Sequence, residues 1–226
     1  MPTEYVRTTV IDAYGADPDR VVVVPHGVEP SLGADAPSAF ELRRDYGLGA
    51  GRMIVYPAIT HPHKNHRFLL ELMVQHWTDP DLRLVLLGGM GAAEGDVLAD
   101  IARLGLQQRV VRLGRVSDAD RDGLVAAADA LVFPSEYEGF GAPAVEAMAL
   151  GAPVVCSDQP ALSEVVGDAG LVLPLDLDAW ADALDVVAAR SDEMRSAGRS
   201  RARDFTTERS GAALARAYDL AFRIGR

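Results

Sequence analysis

The sequence predicts a doubly wound α/β fold, a parallel sheet covered by helices on both faces, and three observations predict it. Short β-branched apolar runs alternate with helical patterns from residue 21 to about 174, which is the pattern of successive βαβ units. Several of these runs are apolar without interruption, among them Leu84-Val85-Leu86-Leu87 and Ala130-Leu131-Val132-Phe133, as strands are when helices hide both faces of a sheet. From about Asp178 onward the pattern is helical only, with Leu184, Val187 and Ala188 and then Leu214, Tyr218 and Ala221 as apolar faces.

Element by element, strands are expected at 21–24, 53–57, 82–87, 110–113, 130–133, 153–156 and 170–173, each a short Val, Ile, Leu or aromatic run bounded by turn residues. Helices are expected at 37–46, 65–77, 95–104, 118–127, 142–150 and 161–166, where apolar residues recur at helical spacing. Residues 5–15 read as the tail of a helix, closed by an Asp-Pro-Asp turn before the first strand. At 226 residues the chain suits one domain with helical extensions and falls short of two full α/β domains. The expected division is a remnant of an interdomain segment at 1–20, a ligand-binding sheet domain at 21–176, and C-terminal helices packing on it at 177–226.

Composition excludes several classes of function. With 49% hydrophobic and 24% charged residues the chain is ordinary globular material. A net charge of −11 repels a nucleic-acid backbone, and no sustained basic patch reverses it locally. Arg195, Arg199 and Arg203 form one basic stripe at spacing four; it reads as a solvated helix face balanced by Asp192, Glu193 and Asp204, and leaves room for peripheral membrane contact only. No apolar run reaches the length of a membrane span, and Met-Pro-Thr-Glu-Tyr-Val-Arg has no apolar core of a signal peptide, so a cytoplasmic setting is expected. The single cysteine, Cys156, sits in an apolar run as a buried free thiol.

In doubly wound sheets ligands gather at the carboxyl ends of the strands, and the most informative stretch follows the expected strand 130–133. It reads Phe133-Pro134-Ser135-Glu136-Tyr137-Glu138-Gly139-Phe140-Gly141-Ala142-Pro143-Ala144-Val145-Glu146. A loop with two glycines leads into a helix with Pro143 near its first position, where a missing N–H costs nothing. Free amides and aligned peptide dipoles there favour a phosphate, and glycines let a ligand approach the backbone. Glu138 and Glu146 are separated by seven residues; together they suit paired hydroxyls of a hexose and a ribose, whereas each alone reads as an exposed glutamate. A glycosidase carboxylate pair is the less favoured reading, because the glycine loop between them solves a phosphate problem that a hydrolase does not have. Gly88-Gly89-Met90-Gly91 lacks the spacing of a dinucleotide loop, Gly-x-Ser-x-Gly is absent, and the histidines His61, His63 and His66 lack a nearby carboxylate or cysteine to complete a metal site.

The stretch from Phe133 to Val155 resembles the Glu-x7-Glu signature of the group 1, or family 4, retaining glycosyltransferases of GT-B architecture. Val24-Pro25-His26-Gly27-Val28, Leu86-Leu87-Gly88-Gly89, Leu113-Gly114-Arg115-Val116-Ser117 and the segment 157–170, with Glu164, resemble further segments of that family's second Rossmann-like domain. The resemblance implies a Rossmann-like donor domain, the second half of a GT-B fold. It implies that Glu138 contacts the donor hexose, that Gly139, Phe140, Gly141 and Ala142 hold sugar and phosphate oxygens, and that Glu146 binds the ribose. Gly88 belongs by the same resemblance to a glycine loop of the site, and Arg115 and Val116 to the nucleobase loop.

The family supplies an Arg and a Lys to the diphosphate. Lys64 fits the Lys position and Ala58 stands near that of the Arg, so His63 or Arg115 is expected to replace the lost donor in part. Lys64 and Glu138 are thereby the expected catalytic residues. The expected ligand is a GDP-, UDP- or dTDP-linked sugar with no cofactor and no metal, and the expected partner is an amino-terminal acceptor domain or a separate acceptor subunit. Alternatives are the donor subunit of a two-polypeptide transferase, a sugar-nucleotide epimerase of the same architecture, and a non-catalytic sugar-nucleotide sensor.

Overall fold

A computed structural model of the chain describes residues 1–224. Six strands form one parallel sheet: β1 (Met53–Pro57), β2 (Arg83–Leu87), β3 (Val110–Gly114), β4 (Ala130–Phe133), β5 (Val154–Ser157) and β6 (Leu171–Leu173). Their spatial order is β3-β2-β1-β4-β5-β6, so the chain moves outward in one direction from β1 and then returns to build the other half from β4. The helices among the described residues are α1 (Glu4–Tyr14), α2 (Ala39–Asp45), α3 (His66–Gln75), α4 (Glu94–Arg103), α5 (Asp118–Ala126), α6 (Ala142–Leu150), α7 (Pro160–Val166), α8 (Leu177–Trp180), α9 (Ala183–Ala189), α10 (Ser191–Ala202) and α11 (Thr207–Ile224).

Because parallel crossovers are right-handed, reversing the direction of travel puts α3 and α4 on one face and α5, α6 and α7 on the other; α3 packs on α4, and α5 and α7 pack on α6. The sheet is thus sealed on both sides. Every residue of β4 and β5 is buried, and Ile54, Val55, Tyr56, Leu84, Val85 and Leu86 are at 0% exposure. The reversal between β1 and β4 opens the crevice where such folds receive ligands.

The C-terminal helices complete the packing. Trp180 is fully buried, its indole donates to the Pro174 carbonyl at 2.8 Å, and it meets Phe68 of α3 edge to face at 5.3 Å. The helix α10 lies along α6. There Arg195 departs from its expected solvated face: its guanidinium donates to the carbonyls of Gly151 (2.6 Å) and Ala128 (3.1 Å), closing the C-terminal ends of α6 and α5. The physical reason is the excess of unpaired carbonyls at helix ends, which a cation both hydrogen-bonds and neutralises. Among the described residues no helix is long and apolar enough to cross a membrane.

One expected strand does not form. Residues 21–24 are extended and half-buried but join no ladder; Val24 N–H donates to the Met1 carbonyl at 2.7 Å, and the Val22 carbonyl accepts from the Met1 amino group at 2.6 Å. A valine run sets a local preference for extended backbone, but a strand also needs a free sheet edge, and this run takes its partners from the chain start. Val28 alone makes a bridge, to Thr206.

Candidate functional site

Lys64 closes a short 3-10 turn, Pro62–Lys64, after β1. The turn is stopped by Asn65 at φ +52, the non-glycine residue among those described with positive φ, a conformation that asparagine tolerates better than other side chains. From below, the buried Tyr56 hydroxyl donates to the Lys64 carbonyl at 2.7 Å and lies 3.2 Å from Ser135 Oγ. The ammonium Nζ donates to Glu138 Oε1 at 2.5 Å and stands 5.5 Å from the centroid of the Phe133 ring. With side chains only 19% and 12% exposed, the pair is largely withdrawn from water, so each charge depends on the other.

Glu138 belongs to the loop between β4 and α6, which is tied down at three points. Glu136 N–H donates to the His63 carbonyl at 2.8 Å, Ser157 Oγ donates to the Ser135 carbonyl at 2.6 Å, and Thr3 Oγ1 donates to the Gly139 carbonyl at 3.0 Å. The loop ends at Gly141, the N-cap of α6, with φ +89 and no side-chain cap; a side chain there would also run into Leu162. Among the described residues no protein group accepts from the N–H groups of Gly139, Phe140, Gly141 or Ala142. Gly139 and Ala142 remain partly exposed, whereas the Phe140 ring turns inward between His26 and Phe205. Unpaired amides at the head of a helix form a local positive pole suited to an anion.

Glu146 lies one turn further along α6 and lines a separate hollow of about 290 Å³ with Gly27, Glu29, Asp118, Arg121 and Asp122. Burial raises its carboxyl pKa above the usual carboxylate value, Arg121 opposes that shift, and Asp122 and Asp118 add to it. Asp122 accepts the Gly33 N–H at 2.9 Å and so holds the loop after Val28 over this hollow. Neither Lys64 nor Glu138 lines it, so the two glutamates of the motif flank the α6 start without sharing one cavity.

The other expected site residues divide. His63 lies beside Lys64, its ring stacked on His61 at 5.9 Å and tilted by 32° against Tyr137 at 4.6 Å. Partial burial, then the Lys64 charge, hold its pKa below the ordinary imidazole value; at neutral pH it offers an N–H and no full charge, which is less than the arginine it was expected to replace. Ala58 is buried, at 6% exposure. Gly88, at φ +106, lets the loop after β2 press against the loop after β1, since a Cβ there would lie 2.6 Å from the Ala58 carbonyl oxygen. Arg115 is exposed and Val116 half-buried; among the described residues Arg115 makes no ion pair, and neither lines the Glu146 hollow.

Three features were not legible in the sequence. Thr3 caps α1 and also holds Gly139, while Glu164 accepts from the first amides of the same helix, Glu4 N at 2.8 Å and Tyr5 N at 3.0 Å. Arg112 pairs with Glu94 at 2.9 Å and donates to the Gly88 carbonyl at 2.8 Å and the Gly89 carbonyl at 3.2 Å. Thr60 donates to Glu94 at 2.6 Å and accepts from Gly91 N–H at 2.7 Å, so one nearly buried ion pair, reaching from β3 to the head of α4, clasps the loops after β1 and β2. The only available signal was an arginine inside an otherwise apolar strand, a residue that needs a partner wherever it is buried.

Comparison with known proteins bears on the family and the fold. The family described as glycosyl transferases group 1 matches residues 51–189. The O-antigen chain mannosyltransferase B of Escherichia coli is 36% identical over 181 residues, covering 78% of this chain and 48% of that protein. A D-inositol 3-phosphate glycosyltransferase of Kineococcus radiotolerans is 36% identical over 178 residues, covering 74% of this chain and 41% of that protein. The chain therefore spans about half the length of these relatives. In fold it is similar to HepE from Anabaena, solved in complex with UDP and glucose, with a TM-score of 0.85 at 23% identity over 96% of this chain and 62% of that one. A matched family covering both halves of the sheet, relatives above 30% identity and a shared architecture lead to one statement: the chain belongs to the glycosyl transferases group 1 family.

Proposed function

We propose that this chain is the donor-binding half of a retaining hexosyltransferase, which moves a sugar from a nucleoside diphosphate to an acceptor hydroxyl with no metal or cofactor. The observation that carries the reading is the Lys64–Glu138 pair beside the uncapped head of α6. In the reading, the diphosphate settles on the amides of residues 139–142, and Lys64 transfers part of its attraction from Glu138 to the phosphate oxygens. Glu138, so released, accepts hydroxyls of the sugar. As the bond to the anomeric carbon breaks, negative charge grows on the leaving phosphate, and preorganised amides and an ammonium stabilise that charge more than they stabilise the ground state. Glu146 takes the ribose from the other flank, and Arg115 and Val116 lie near the base. The relatives named as mannosyl- and inositol-phosphate glycosyltransferases and the UDP-bound neighbour support a nucleotide-sugar ligand. The acceptor half is supplied by a further domain or subunit, in polysaccharide or glycoconjugate synthesis.

The test is a thermal-shift and calorimetric panel of UDP, GDP, dTDP and ADP sugars with the purified chain. A specific ligand at one hundred times its Kd stabilises a fold by about 2.7 kcal/mol, and one base is expected to stand out. Absence of stabilisation by any member of the panel at millimolar concentration overturns the proposal.

A further inference from the structure

Tyr56 is the last residue but one of β1 and is fully buried, at 0% exposure. Its neighbours Ile54 and Val55 are apolar, and a phenylalanine would fill the same space. Packing alone therefore does not account for a hydroxyl that has to be taken out of water. The ring is clamped between two others: Phe133 meets it edge to face at 5.7 Å, and His66 lies tilted against it at 4.8 Å. The hydroxyl is thereby held in one place, under the loops that follow β1 and β4.

The direction of its hydrogen bonds follows from counting protons. A phenol has one to give, and the Lys64 carbonyl, 2.7 Å away, can only accept it. At the 3.2 Å contact with Ser135 the serine is therefore the donor. Burial pushes the phenol pKa well above the ordinary tyrosine value, the Ser135 bond opposing and the Glu138 charge adding, so the proton stays in place. The result is a directed chain, from Ser135 Oγ–H to Tyr56 Oη–H to the Lys64 carbonyl, in which each bond strengthens the next. Ser135 is itself at 0% exposure, and its carbonyl is fixed by Ser157 Oγ at 2.6 Å.

The two ends of this chain belong to the two loops that form the ion pair. Strands β1 and β4 are neighbours in the sheet; the loop after β1 carries Lys64, the loop after β4 carries Glu138, and the two are 74 positions apart in sequence. One backbone bond, from Glu136 N–H to the His63 carbonyl, also joins these loops. Two ties oppose hinging as well as sliding, and an ammonium that shifts from a carboxylate to a phosphate depends on such a fixed backbone. We propose that Tyr56 is a positioning residue of the donor site: by fastening the Lys64 backbone to the Glu138 loop, it sets the separation at which ammonium and carboxylate receive the nucleoside diphosphate sugar. This assignment rests on the donor-domain reading above. Being fully buried, Tyr56 acts through Lys64 and not by contact with the ligand.

The test is a double-mutant cycle. Affinity for UDP, GDP, dTDP and ADP is measured by calorimetry in the parent, in Tyr56→Phe, in Lys64→Ala and in the double variant. The Lys64 ammonium is followed by its 15Nζ–1H NMR signal, assigned by its loss in Lys64→Ala. Tyr56→Phe is expected to weaken binding of the preferred diphosphate about tenfold in the parent and less than about twofold in the Lys64→Ala background, and to shift or broaden the ammonium signal of the free protein. A general loss of stability would weaken binding equally in both backgrounds and leave that signal in place. Ser135→Ala cuts the chain one link earlier and is expected to give a smaller loss, about threefold, abolished in the same background; it carries the test alone should Tyr56→Phe fail to fold. Parent-like diphosphate binding by Tyr56→Phe, or equal losses with and without Lys64, overturns the positioning role and leaves the donor reading standing. A parent chain that binds none of the four diphosphates overturns the donor reading, and the positioning role with it.

Discussion

Lys64 and Glu138 show how a charged pair can serve as a latch. Each satisfies the other in the free protein, so a ligand must compete for the ammonium, and what it gains is the difference between two charge-assisted bonds. Lys64→Ala is expected to weaken nucleoside diphosphate binding at least about tenfold, about 1.4 kcal/mol, by calorimetry; an unchanged Kd removes Lys64 from the donor site. Glu146 makes a prediction in pH. Its folded-state pKa lies above the ordinary value of 4.5, so the folded state holds the proton more tightly than the unfolded chain, and stability falls as pH rises from 4.5 through the raised value. Glu146→Gln is expected to flatten that part of the melting-temperature profile, and parallel profiles for variant and parent count against it. Both glutamates could be found from their spacing because the glycine loop between them is local chemistry. Thr3 could not, since the carbonyl it holds is 136 residues away in sequence and a threonine near a chain start carries no sign of that partner.

At the scale of elements, β1, β4 and α6 have the bounds that periodicity, glycine and proline predicted, because each is a short apolar run with unambiguous stops. The run at 21–24 has equal strand preference and no ladder, which shows that propensity names a conformation while the sheet edge decides on pairing. The α6 start depends on one such stop. Gly141 adopts positive φ and lies against Leu162, so Gly141→Ala combines backbone strain with overpacking. It is expected to lower the unfolding free energy by about 1–3 kcal/mol in denaturant titration and to weaken diphosphate binding further than that loss explains. A variant as stable as the parent would show that the loop reshapes at no cost.

Over the whole molecule, one sheet and its two helical layers carry Lys64, Glu138 and Glu146 with their connecting loops, and the C-terminal helices are joined to the α3 layer through Trp180. Trp180→Ala removes a fully buried indole and is expected to lower stability by about 3–5 kcal/mol, read as a lower denaturant midpoint with unchanged m-value; a second, separate transition would instead mean that the C-terminal helices unfold as their own unit. The fold class was legible because alternation of strand and helix is repeated along most of the chain, whereas the division of the site into separate hollows was not, being a matter of which loops press together. The Arg112–Glu94–Thr60 clasp governs that pressing. Since the loops after β1 and β2 are both tied to one nearly buried ion pair anchored on β3, the rim that carries Lys64 cannot flex one of these loops alone: the two yield together, and whatever grips one is felt in the other.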